Sequence, residues 1–181
     1  MAVAADRGLG PLLAADIHAE VAVFLAHEAE LLDTREFRGW LDLVEDDFTY
    51  RVPVPVTPDN PGAQAYDASA YIVDETRETL AEHWFVRFRP DMWEMAWSEN
   101  PPVRYRHFVT NIRVRATDEP DVLDARSNVI VSAVRQSSPT TTLHAERFDL
   151  IVRTGGGMRL RSRFVVIDET LLDFAQLRVV M

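Results

Sequence analysis

The sequence predicts an α+β fold in which helices cover one face of a curved antiparallel sheet. Apolar residues recur at helical spacing through the first part of the chain, and Pro90, Pro101 and Pro102 then close the helical region. Four long β-type runs follow at 103–116, 122–135, 141–154 and 158–169. Their connectors, 118–121, 137–140 and 155–157, have turn chemistry at hairpin lengths. Helices followed by hairpin-connected strands make an α+β layout. Long curved strands wrapped round helices give a cone with a pocket.

Each element has its own signal. Residues 1–15 form a flexible N-terminal tail, with Gly8, Gly10 and Pro11 as breakers, and 16–181 form a single domain. Asp16 offers an N-cap for a first helix, whose apolar face is Ile17, Val21, Phe24, Leu25, Leu31 and Leu32. Asp33 with Glu36 resembles a capping box that opens a second helix, with Phe37, Trp40, Leu41 and Val44 on its core face. The stretch 47–54 alternates as a strand, placing Phe48, Tyr50 and Val52 on one side. Pro53, Pro55, Pro58 and Pro61 make 55–65 an ordered loop or arm. Helical composition returns over 74–88, with Leu80, Trp84 and Phe88 four apart. The segment 171–181 reads as a short strand or an extended tail, and no internal repeat or second domain is visible.

Composition excludes several function classes. Among 181 residues, 47% are hydrophobic and 27% charged, the balance of an ordinary globular protein. No apolar run approaches the roughly 20 residues that span a bilayer, and the first ten residues lack the pattern of a signal peptide. The expectation is a cytoplasmic protein that binds no membrane. There is no cysteine, so this chain can form neither disulfides, Cys-zinc sites, thiolate nucleophiles nor an iron–sulfur cluster ligated by Cys. A net charge of −10 argues against nucleic-acid binding. All 19 basic residues are Arg, a bias that a GC-rich genome explains and that also suits bidentate interface pairs.

Three stretches resemble the small (β) subunits of bacterial aromatic-ring-hydroxylating dioxygenases. The first is Phe24-Leu-Ala-His-Glu-Ala-Glu-Leu-Leu-Asp33, with Trp40-Leu-Asp-Leu43, Asp47, Tyr50 and Pro53 after it. The second runs from Asp74-Glu75 through Arg87 and Trp97 to Arg104-Tyr-Arg-His107 and Asn111. The third is Gly155-Gly-Gly157 leading to Arg159 and Asp168-Glu-Thr170. The chain departs from the pattern at Asn100, Val103 and the 90–92 turn. The resemblance implies the cone-shaped fold shared by cystatin-like proteins and nuclear transport factor 2. It also implies a trimer of β subunits beneath three α subunits, with the Rieske cluster, the mononuclear iron and the aromatic substrate on the α subunit. This chain would then hold no cofactor and serve assembly in aromatic compound catabolism.

An iron site of the dioxygenase type needs two His and a carboxylate on one face. His18 and His27 are nine apart on one helix, and His144 with Glu146 on one strand face is a lone pair. His107 follows Arg104 and Arg106, and alternation sets it on the opposite strand face from both. Arg104 and Arg106, with Trp93 and Trp97, therefore form the candidate subunit interface. A second possibility is a free-standing isomerase or dehydratase in which His107, Asp47 and Tyr50 converge in an open pocket. In the structural alternative the aromatics Trp84, Phe85, Phe88, Trp93 and Trp97 simply fill that pocket. Arg159, Arg161 and Arg163 alternate along one strand face, either solvated or against the α subunit.

Overall fold

In the computed structural model, which describes residues 10–60, 62–96, 101–136, 138–171 and 179–181, a long helix α1 (Ala15–Thr34) lies across the inner face of one six-stranded sheet. It buries Val21, Leu25, Ala29 and Leu32, the stripe expected of helical periodicity. Its start differs from expectation. Ala14 is the N-cap, and Asp16 sits in the first turn, where its charge favours the helix dipole. Arg35 ends α1 in the left-handed conformation (φ 64°), and the amides of Arg35 and Glu36 return to the last carbonyls. The helix α2 (Phe37–Asp42) follows after a single turn and buries Trp40. No Asp33 capping box opens it, because the Asp33 carboxylate is engaged elsewhere.

The strands run in the order β2-β1-β6-β5-β4-β3. Their ranges are β1 Val44–Pro55, β2 Tyr66–Thr76, β3 Val103–Ala116, β4 Val122–Arg135, β5 Thr141–Thr154 and β6 Gly157–Ile167. The last four fall where turn chemistry and alternation put them. Two features differ from the sequence reading. Strand β1 pairs with β6 in parallel, so the sheet is mixed, since the β1–β2 hairpin docks on β6 only after the whole β3–β5 meander. Strand β2 occupies part of the stretch read as helical, and helix is reduced there to three short turns, Arg77–Thr79, a π turn at Leu80–Trp84 and a 3-10 turn at Val86–Phe88. As an edge strand, β2 buries only Tyr66 and Val73, too few apolar positions for an alternating signal.

One bulge decides what the inner face contains. In the β5–β6 ladder Ile151 faces Leu160 but Leu150 faces Ser162, leaving Arg161 as the extra residue. A one-residue slip exchanges strand faces. Arg163 therefore points inward and is 1% exposed, instead of sharing a face with Arg159 as simple alternation predicted. The core gathers on this concave side, with Phe48, Tyr50 and Val52 of β1 all fully buried beside Leu25 and Trp40.

The outer edge of β3 is closed by the helical part of the chain. Arg35 Nη2 donates to the Val103 carbonyl, and the Asp33 carboxylate accepts from the His107 amide at 3.2 Å. Leu13 N donates to Val114 O at 3.0 Å, and His18 Nε2 accepts from Val114 N at 3.1 Å. Unpaired edge groups are thereby satisfied within the chain.

Candidate functional site

Between α1 and the sheet lies a set of buried charges. Glu28 stands on the apolar stripe of α1 and is fully buried. Arg147 and Asp149, two apart on β5, share the inner strand face at 0% and 2% exposure. The β6 bulge adds Arg163. Glu28 Oε1 accepts from Trp40 Nε1 at 3.1 Å and from Arg163 Nη1. Its Oε2 accepts from Arg147 Nη2 at 2.7 Å and from Arg163 Nη2 at 3.0 Å. Arg163 also grips Asp149 in a two-pronged pair, Nε to Oδ1 at 2.8 Å and Nη2 to Oδ2 at 2.9 Å.

Two carboxylates and two guanidinium groups cancel in charge, which is how four ionised groups persist away from water. Burial alone would raise the Glu28 carboxyl, yet the charges of Arg147 and Arg163 and the hydrogen bonds from Arg163 and Trp40 hold it far below its ordinary range. Burial opposes charge on Arg163 as well, and Asp149 and Glu28 override it and push that group upward. The neighbouring Tyr50 phenol is pushed up to about 12, chiefly by burial. The Asp149 and Glu28 pairs thus act as one unit that fixes α1 on β5 and β6.

His107 and Asp33 form a second polar unit. The imidazole is 1% exposed, and its Nδ1 lies 2.7 Å from Asp33 Oδ1. Its Nε2 lies 2.9 Å from the carbonyl oxygen of Val180. Both ring nitrogens are thus engaged by oxygen neighbours, and neither offers a free lone pair. A general base needs that lone pair.

The residues singled out from sequence fall into different places. His107 is on the opposite face of β3 from the exposed Arg104 and Arg106, as alternation required. Arg106 reaches Asp33 at 3.8 Å and donates to the Tyr105 carbonyl at 2.9 Å, and its side chain stays exposed. Tyr50 is buried, and its hydroxyl accepts from Met181 N at 3.2 Å. Asp47 is exposed on β1, so the His107–Asp47–Tyr50 set does not assemble. The cleft between α1 and β3, about 740 Å³, is lined by Asp33 and His107 but by neither Asp47 nor Tyr50. Trp93 is half-buried beside Phe88 under the Arg35 guanidinium, at 5.8 Å from Arg35 to its ring, and Trp97 lies outside the described residues. His144 pairs with Glu169 at 2.7 Å instead of Glu146, which pairs with Arg113.

Aromatic packing fills the neighbouring volume, as Phe37 stacks on Phe85 at 4.3 Å and Tyr50 meets Trp84 edge-on. Sequence reasoning missed Glu28, Asp33, Arg147, Asp149 and Arg163 as site residues. Part of the signal was present. Glu28 interrupts an otherwise apolar helix face, and Arg147 and Asp149 occupy the same strand phase as Leu143, Ala145 and Ile151. Among the described residues no three metal-ligating side chains gather. With no cysteine in the sequence, the donor set of this chain does not fit a Rieske cluster.

Comparison with known proteins adds a family. A model described as the ring hydroxylating beta subunit matches residues 27–173. Naphthalene 1,2-dioxygenase, solved with indole bound in its active site, superposes with a TM-score of 0.78 at 26% identity, over 93% of this chain and 88% of that one. The beta subunit of benzoate 1,2-dioxygenase from Burkholderia mallei superposes at 0.61 with 19% identity, over 88% and 93%. An NTF2-like protein with a cystatin-like fold from Novosphingobium aromaticivorans reaches 0.55 at 16% identity, over 86% and 84%. The last two speak for the fold, which is the α+β cone.

Proposed function

Because this chain belongs to the ring-hydroxylating dioxygenase β-subunit family, we propose that it is the non-catalytic, assembly-forming small subunit of a Rieske-type aromatic-ring dioxygenase. The family match over 27–173 carries this reading. The interior supports it, since charges are mutually neutralised and both nitrogens of the one buried imidazole facing the interior are occupied. Such a chain positions a partner instead of performing chemistry. In this reading three copies associate, and an α subunit supplies the Rieske cluster, the mononuclear iron and the pocket for the aromatic substrate. The complex works in the cytoplasm, in aromatic compound catabolism.

The contact surface we assign is the outer side of β3 and β4. Arg104 and Arg106 are exposed there, with Phe108 at 54% and Ile130 at 37% exposure next to each other across the ladder. Arg and aromatic side chains together are what interface hot spots favour. Co-expression with a chain bearing the two Cys and two His of a Rieske site tests the proposal. A stoichiometric complex that loses affinity on Arg104→Glu plus Arg106→Glu is the expected result. A monomer indifferent to any such chain overturns it.

A further inference from the structure

The described residues 179–181 are held in a way that a packed strand or loose tail does not require. Val179, Val180 and Met181 are 5%, 3% and 0% exposed, although they belong to no strand. Their backbone is gripped by side chains from three separate strands. His107 of β3 meets Val180 O at 2.9 Å, Arg163 Nη1 of β6 donates to Met181 O at 3.1 Å, and Tyr50 of β1 accepts from Met181 N. Through Arg163 this segment connects to Glu28 and Asp149, and through Glu28 to Arg147. Arg147 keeps Nε and Nη1 buried without a protein partner, as does Ser127 at Oγ, its cross-strand neighbour. The interior therefore offers more hydrogen-bonding capacity than the chain itself uses.

From this geometry we infer that the cone contains a peptide-binding site which residues 179–181 occupy in cis. The recognition elements define the ligand class. Two donors and one acceptor are spaced to read two successive carbonyl groups and the amide between them, inside the apolar core to which residues 179–181 belong. An apolar N-acyl amino acid or short peptide satisfies all three. Three residues of this size fall within the roughly 300–1,000 Å³ of small-molecule sites. The inference stands whether or not the chain works beside an oxygenase α subunit, because it concerns only this chain's interior.

The test uses the folded full chain with a protease site introduced after Leu171. After cutting, the released peptide is removed by gel filtration, and N-acetyl-Val-Val-Met is titrated by calorimetry and thermal melting. The expected result is saturable binding to the cut chain and none to the intact chain. At a hundredfold excess over Kd the melting midpoint of the cut chain should rise by roughly 5–10 °C. If the cut chain unfolds, recovery of its fold by the probe is the expected outcome, and no recovery overturns the inference. A second variant, Val180→Asp, drives residues 179–181 out by placing a charge at a position that is 3% exposed within the apolar core. A compact V180D chain that binds no probe, or a cut chain with unchanged melting and no binding, overturns it.

Discussion

Replacing Glu28 by Gln tests the buried charge cluster directly. The amide keeps the shape of the side chain and removes the negative charge that faces Arg147 at 2.7 Å and Arg163. Arg163 retains Asp149 at 2.8 Å, but Arg147 is left with Asp149 at 3.4 Å as its remaining counter-charge. Breaking a buried pair by removing one partner costs about 3–5 kcal/mol, because the surviving charge stays desolvated. For a chain of this length that lowers the melting midpoint by roughly 6–20 °C. The pH profile gives an independent signature. Glu28 is shifted down in the fold from its ordinary 4.5, so its contribution is fully present above that pH and is lost as pH falls below it. The wild-type chain should therefore lose stability steeply below pH 4.5, and E28Q should lose less over the same window. Urea unfolding at pH 7 and at pH 3.5 measures both. A cost under about 1 kcal/mol at pH 7, with parallel pH profiles, would refute the argument that this cluster holds α1 on the sheet.

Three other perturbations follow from the same geometry. Asp33→Asn removes a charged acceptor from both the His107 ring and the β3 edge amide, and should cost about 1.5–3 kcal/mol in urea unfolding; a loss below half a kcal/mol would contradict the pairing. Deleting Arg161 removes the extra residue but leaves Ser162 opposite Leu150 and Arg163 opposite Asp149, so the variant should keep Arg163 inside and melt cooperatively within a few degrees of wild type. A broad melt with hydrophobic-dye binding would show that Arg161 is not the extra residue of this ladder. Trp40→Phe keeps a ring in the core but loses the indole donor to Glu28 Oε1, and should cost less than E28Q, about 1–2 kcal/mol with the smaller ring included.

Local rules made much of the fold legible. The β3, β4 and β5 boundaries followed from long runs and turn chemistry, and strand phase put His107 opposite Arg104 and Arg106. The same phase rule failed at Arg163, because one extra residue in β6 reverses every later side chain and a bulge leaves no mark in a run of alternating Arg. The edge strand β2 escaped notice because it has little apolar face to show. Spacing assigns Asp33 to a local cap, the shortest-range use of its carboxylate, whereas its partner His107 lies 74 residues away. Glu28 and Arg147 are separated by 119 residues, and a charge on an apolar stripe does not name the strand that will neutralise it.

The central claim is that this chain organises an oxygenase without taking part in its chemistry. Steady-state turnover per α-subunit iron, measured in the assembled complex with the wild-type chain and then with Tyr50→Phe or His107→Asn, tests it most directly. Turnover should stay within about twofold at equal subunit stoichiometry, with any loss traceable to weaker assembly. A fall of roughly a hundredfold or more in fully assembled complex, the scale of a lost general acid or base, would contradict it.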